Sequence, residues 1–327
     1  MPTKHLLILI GVIVLTTLAS FYSGFFLSKI YKKDNVVAVN PNPDSKLKPY
    51  FRDEIILISK EAPHYTVIAH VTRSLDQNSK YIHRQKMFFY DGKMWQNKSV
   101  SVSSDNSAIE KTALVLNWLV EDDPSLVLKQ SVKGGLLIDK TDIKFEVPMI
   151  TNEMGIRSLE NYTIFRSEAS GKLIINGKEY DSNVLYTRIY SYATSIDMIE
   201  VSEPVGIDTD WVAFWDDEGN FYNIDETVVD SKIKGKYKSH SIAVFKDKDQ
   251  KVQKSFTLDI QKKTDLGYKI SIMDKINSVI DVNFLNSVSK NTPSSPYTWM
   301  TGQLKGTVRL ENGKTINGFG IYEQIYQ

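Results

Sequence analysis

The hydrophobic pattern divides the chain into one uninterrupted apolar run and a long series of short alternations. From Leu6 to Ser28 no residue is charged. At about 1.5 Å of rise per residue a helix of this length spans roughly 35 Å, enough for a bilayer core of about 30 Å. Residues 1–33 are therefore read as a transmembrane anchor. Thr16, Thr17, Ser20 and Ser23 are tolerable there because hydroxyls bond to helix carbonyls, and Phe21, Tyr22, Phe25 and Phe26 suit an interface. The competing reading is a cleaved signal peptide starting at Lys4. No clean small-x-small cleavage site precedes Lys29, which favours the uncleaved anchor. Lys29, Lys32 and Lys33 after the run outweigh Lys4 before it, so a literal charge count puts the rest of the chain inside the cell. The position of the run at the N-terminus and the absence of cysteine argue for the outside, and the expectation is a single-pass, extracytoplasmic protein.

Residues 34–48 hold Asn40-Pro-Asn-Pro-Asp-Ser45 and almost nothing apolar after Val39. Proline fixes φ and removes a donor, so this reads as an extended stalk. After Pro49 the period changes to two. Apolar runs flank Asp91-Gly92, Asn176-Gly177, Glu218-Gly219 and Asn312-Gly313. Such pairs tolerate the positive φ of hairpin turns. Ser255 to Ile260 and Tyr268 to Ile272 alternate as half-buried strands do. Ser107 to Val120 is ambiguous. It has a capping box, Ser107 with Glu110, but its second half alternates as a strand.

A repeat organises these strands. Gly171 to Tyr180 with Leu185 to Tyr190 aligns with Gly306 to Ile316 with Ile321 to Tyr326 once Glu311 is taken as an insertion. Asn176-Gly-Lys178 then falls on Asn312-Gly-Lys314, and Tyr186, Ile189 and Tyr190 fall on Tyr322, Ile325 and Tyr326. A shared pattern of this length implies two similar all-β halves, about 49–192 and 193–327, each the size of a small antiparallel barrel.

Composition narrows the function. With 42% hydrophobic and 24% charged residues the chain is globular. Its net charge of +1 is uneven: residues 1–33 carry four lysines and no acid, leaving 36 basic and 39 acidic residues in the remainder. That balance gives no electrostatic case for nucleic acid. The absence of cysteine excludes disulfides, thiol catalysis and a lipidated bacterial anchor.

Ser170-Gly-Lys-Leu-Ile-Ile-Asn-Gly-Lys-Glu-Tyr180, leading to Thr187-Arg-Ile-Tyr190, resembles the mid-chain motif of the lipocalin-like carotenoid hydratase (hydroxyneurosporene synthase) family. Asp210-Trp-Val-Ala-Phe-Trp-Asp-Asp-Glu-Gly219 looks like the strand and turn that follow it there. Gly306-Thr-Val with Asn317-Gly-Phe-Gly-Ile-Tyr-Glu323 looks like that family's closing hairpin. The resemblance is legible in 170–225 and 299–326 and implies two lipocalin-like barrels. In the family the mid-chain motif carries an acid; here Thr187 stands at that position, so the resemblance does not supply the proton donor of the hydratases.

The candidate chemistry is sparse. His5, His64, His70, His83 and His240 form no ligand spacing and read as surface or strand-face histidines. Gly134-Gly135 reads as a turn, and Asn97-Lys-Ser99 and Asn161-Tyr-Thr163 as chance glycosylation sequons. By strand alternation Tyr186, Arg188 and Tyr190 share one face, as do Trp211, Ala213 and Trp215, and Tyr322, Gln324 and Tyr326. The opposite, more apolar face would put Ile189, Ile325 and Glu323 inside a barrel. Glu323 there would be hydrogen-bonded, or would meet a ligand as a proton donor. Core packing is the main reading of Trp211 and Trp215, and ligand stacking the alternative. The leading functional reading is a membrane-tethered binder of a lipid- or isoprenoid-like molecule, needing no cofactor, with Arg188, Tyr190, Trp211, Trp215 and Tyr322 as ligand contacts. The alternatives are a cofactor-independent hydratase, isomerase or cyclase with Glu323 as acid, and an ectodomain that binds a protein partner. An open cavity separates the first two from the third.

Overall fold

Alternating apolar and polar positions pair as antiparallel strands wherever the chain is described. The computed structural model describes residues 50–75, 81–103, 114–116, 132–138, 140–147, 155–159, 162–191, 206–230, 238–263, 266–290 and 298–326. The first sheet is built from β1 (Tyr50–Ser59), β2 (Thr66–Leu75), β3 (Tyr81–Tyr90), β4 (Trp95–Ser103), β5 (Leu114–Leu116), β6 (Val132–Ile138), β7 (Thr141–Val147), β8 (Gly155–Leu159), β9 (Tyr162–Ile175) and β10 (Lys178–Ser191). The second is built from β11 (Gly206–Asp216), β12 (Phe221–Asp230), β13 (Lys238–Lys246), β14 (Val252–Ser255), β15 (Leu258–Lys262), β16 (Gly267–Ile272), β17 (Ser278–Phe284), β18 (Val288–Ser289), β19 (Thr298–Leu310) and β20 (Thr315–Tyr326). The apolar run Leu6–Ser28 and the stalk 34–48 lie outside the described residues. No helix among the described residues is long and apolar enough to cross a membrane.

The first sheet runs β4-β3-β2-β1-β10-β9-β7-β6-β5 with β8 on β9. The second runs β14-β13-β12-β11-β20-β19-β17-β16-β15 with β18 on β19. Adding ten to every strand number converts one into the other. The hairpin pattern found in the sequence is thus the visible part of a repeated ten-strand topology, with β9–β10 in one copy and β19–β20 in the other.

Each sheet curls on itself. Inward residues of β1, β2, β3, β7, β9 and β10 meet in one buried cluster, including Leu57, Val67, Phe89, Phe145, Leu173 and Tyr186. In the second sheet Val212, Phe214, Tyr222, Ile270, Leu304 and Tyr322 do the same. Distant strands of one sheet can share a core only if the sheet closes toward a barrel. The outward faces of β1 and β11 pack on each other through a third cluster: Ile56, Ile58, Phe88 and Leu185 against Trp211, Trp215, Phe221 and Ile321. The strands at this junction are buried on both faces.

The turn pairs behave as expected. Asn176 and Gly177 have φ of 49° and 83° in a two-residue turn, and Gly92, Gly219 and Gly313 have φ of 93°, 85° and 81° in longer hairpin loops. Gly134-Gly135 does not turn. Both lie in β6, where Gly135 pairs with Lys144 and Val115, and a Cβ on Gly135 would come to 3.2 Å from the Ile143 carbonyl oxygen. Glycine here serves close strand approach. Ser255 to Ile260 is two strands rather than one. Ser255 Oγ donates to the Met273 carbonyl and accepts from the Thr257 amide, which breaks the ladder and leaves Phe256 exposed. Of the ambiguous stretch, Leu114–Leu116 is strand, and Ser107 and Glu110 lie outside the described residues.

Candidate ligand cleft between the sheets

Successive residues of a strand face opposite sides. On β11, Val212 and Phe214 fill the second barrel, which turns Trp211, Ala213 and Trp215 toward the first sheet. On β20, Tyr322 fills the barrel, and Phe319, Ile321 and Glu323 face the first sheet. Polar groups cross this junction around the apolar cluster. Lys246 Nζ donates to Glu168 Oε2 at 2.6 Å, with 3% and 15% of the two side chains exposed. Arg166 donates to Asp225 Oδ2 at 2.9 Å and lies 5.2 Å from the Trp211 ring centroid. Trp95 Nε1 donates to Asn286 Oδ1 at 2.7 Å, and Gln303 Nε2 to Thr66 Oγ1 at 2.6 Å.

Beside the ion pair of Glu168 and Lys246 the two sheets diverge into a cleft of about 500 Å³, within the range of small-molecule sites. Its apolar wall is Ile58, Trp215, Phe221 and Phe319. The His64 ring stacks on Phe319 with centroids 4.0 Å apart, held there by its Nδ1–H donating to the Ser59 carbonyl at 2.9 Å. Trp215 and Phe221 are tilted against each other at 4.8 Å. Trp215 Nε1 is buried behind this wall with no hydrogen-bond partner among the described residues. Ser170 and Asn183 come from the first sheet, and Asp216, Asp217 and Asp247 from hairpin ends of the second. Asp216 caps its own turn, accepting from the Asn220 and Glu218 amides at 2.9 and 3.0 Å. Burial holds its carboxyl above the usual carboxylate range despite those bonds.

The predicted residues fall in different places. Trp215 lines the cleft. Trp211 is buried in the junction, its Nε1 donating to Asn223 Oδ1 at 2.8 Å. Tyr322 is inside the second barrel, stacked on Phe284 at 3.8 Å. Arg188 and Tyr190 lie on β10, opposite Asp53 and Phe51 of β1 in register. The inward placement of Glu323 is reversed: Tyr322 points into the barrel and Glu323 points out. Both faces of β20 are buried, so apolarity could not choose between them. Glu323 Oε2 accepts from Lys290 Nζ at 2.6 Å, and the same ammonium reaches Glu54 Oε2 at 3.3 Å. Glu54 also pairs with His70, so this charged group joins both sheets. It is apart from the cleft lining.

A polar cluster inside the second barrel was not among the sites expected from the sequence. Asp210 accepts from the Tyr268 hydroxyl at 2.5 Å and from Gln324 Nε2 at 3.3 Å, and pairs with Lys262 at 2.8 Å. Burial, then the neighbouring Asp210 charge, holds the Tyr268 phenol well above its ordinary range, so it stays a donor. Glu226, opposite Asp210 in register, is raised by burial and bonded to Ser241. Only the gap in alternation at Asp210 and Glu226, polar residues in otherwise apolar inward series, could have pointed to it.

The sequence matches no protein-family model and no curated protein. Among solved structures, it is similar in fold to a protein assigned as AttH from Nitrosomonas europaea, with a TM-score of 0.56 and 10% identity over 85% of this chain and 92% of that one. It is also similar to kievitone hydratase from Nectria haematococca, with a TM-score of 0.53 and 12% identity over 85% and 89% of the two chains. At such identity the likeness is one of fold. It agrees with the two-barrel family that the sequence motifs resemble.

Proposed function

We propose that the protein holds a small, largely apolar molecule in the cleft between its two barrel-like sheets. The observation that carries this reading is the contrast between barrels and junction. Buried side chains pack both barrel interiors among the described residues, whereas the junction opens beside an aromatic wall and a buried ion pair. A ligand packs against the aromatic wall of the cleft and meets the polar side chains that line it. The apolar run Leu6–Ser28 supports tethering to a membrane, with the two sheets outside the cytoplasm.

A second reading is hydration or cyclisation of an apolar substrate without a cofactor. One of the proteins sharing the fold is named a hydratase. Asp216 is the cleft carboxyl whose proton is held above the usual range, which suits a general acid. Glu323, the acid expected from the sequence, is engaged with Lys290 away from the cleft lining.

Mass spectrometry of the purified chain under native and denaturing conditions tests the binding reading. The expected result is a reproducible small apolar species that is lost on denaturation. Ser170→Trp, which places a large ring in the cleft from an exposed position, should abolish its capture without unfolding the protein. A chain that copurifies with nothing and ignores apolar fluorescent probes would remove the binding reading.

A further inference from the structure

The charges around the cleft are unequal, and this specifies the ligand further. Glu168 and Lys246 neutralise each other, and Glu218 is engaged by Lys314 outside the cleft. What remains on the lining is Asp216, Asp217 and Asp247 against Lys60, an excess of acidic over basic side chains. These carboxylates sit on the hairpin ends of β11 and β13 and line the same cleft as Trp215 and Phe221. Aromatic faces attract cations, and an anion entering here meets like charge from several sides with its own countercharge already paired. The other polar side chains of the lining, Ser170, Asn183 and Gln250 among them, are neutral.

Resting on the cleft as the binding site, we propose that its ligand is an apolar ring compound carrying a protonated amine, and that carboxylate-bearing lipids are rejected. The ring lies on Trp215, Phe221 and Phe319. The ammonium projects toward Asp216, Asp217 and Asp247. This is the reverse of a fatty-acid site, where an unpaired lysine or arginine would face the apolar wall.

The test is equilibrium dialysis of the full chain against three probes on one ring system: 2-naphthylmethylamine, 2-naphthylmethanol and 2-naphthoic acid. The amine should bind about ten-fold more tightly than the acid at low salt, with the gap narrowing as salt screens the rim. Asp217→Asn combined with Asp247→Asn changes rim positions that carry no core packing. It should weaken the amine about five- to ten-fold and leave the alcohol unchanged. Ser170→Trp should remove all three. Equal or tighter binding of the acid overturns the charge preference and leaves the cleft standing as a site. Amine binding that survives both variants overturns the location. If no probe binds, the cleft reading itself fails along with the preference.

Discussion

At the residue scale, burial decides what each polar side chain can do. Tyr268 donates to Asp210 and accepts from Gln324 inside the second barrel. Removing the hydroxyl takes one of three partners from the Asp210 carboxylate, leaving Gln324 and Lys262, and a hydrogen bond to a charged group contributes about 1.5–3 kcal/mol. Tyr268→Phe should therefore lower stability by about that amount in urea titrations. Trp215 makes the opposite case. Its indole N–H is already unpaired, so Trp215→Phe should cost less than the lost ring area alone implies. Glu226 sets a pH dependence. Burial, its main perturbation, holds the carboxyl above the usual range, so the folded state binds that proton more tightly than the unfolded chain. Its contribution to stability is present at low pH and is lost as pH rises through the raised value. Glu226→Gln should raise the melting temperature at neutral pH by about 2 °C and leave it nearly unchanged near pH 4. An equal shift at both pH values would show that the effect is not protonation. The sequence identified Trp211 and Trp215 as packing aromatics, but took Tyr322 for a ligand contact, whereas it fills the second barrel. It could not say which way Glu323 faces, because a strand covered on both sides carries no polarity signal. Nor could it pair Glu54 with Lys290, 236 residues apart.

At the element scale, the strands and their turns were legible because short-range chemistry defines them. Asn-Gly and its relatives mark the hairpins, and the period-two alternation marks the ladders. The exceptions have local causes that pattern alone does not reveal: a serine hydroxyl that breaks β14 from β15, and Gly135 of β6 lying close to the neighbouring backbone. Two glycines separate these uses of the residue. Gly177 has a φ of 83° and no atom within 4 Å of an added Cβ. Gly177→Ala should cost only the backbone term, about 1 kcal/mol. Gly320 sits in β20 between Phe214 and Leu304, and an added Cβ would lie 2.0 Å from the Ala213 carbonyl oxygen. No rotamer relieves a clash with backbone, so Gly320→Ala should force β11 and β20 apart. Loss of soluble protein, or a melting temperature well below that of Gly177→Ala, is the expected outcome. Similar behaviour of the two variants would mean that the approach of β20 to β11 is not as tight as described.

At the scale of the whole molecule, two copies of one topology meet through faces that a free barrel would present to water. The repeat was visible in sequence only where hairpin and strand chemistry coincide, around Asn176 and Asn312. The junction was not visible, since its residues are spread over both halves. Its charged groups are the point of greatest sensitivity. Lys290, 2% exposed, lies within reach of both Glu54 from the first sheet and Glu323 from the second. Deleting the ammonium leaves Glu323 without this countercharge while Glu54 keeps His70, and breaking a buried ion pair costs about 3–5 kcal/mol. Lys290→Met should therefore destabilise the protein by about that amount. Adding Glu323→Gln to the same chain should recover part of the loss, since one stranded carboxylate is gone, whereas Glu323→Gln alone should cost less than Lys290→Met. Urea titrations followed by tryptophan fluorescence read this cycle directly, because Trp211 and Trp215 lie in the junction. Additive losses, with no recovery in the double variant, would mean that Lys290 acts by packing its stem and not by neutralising the two carboxylates. In that case the barrels are joined by apolar area alone, and the charged rim of the cleft could be altered without loosening them.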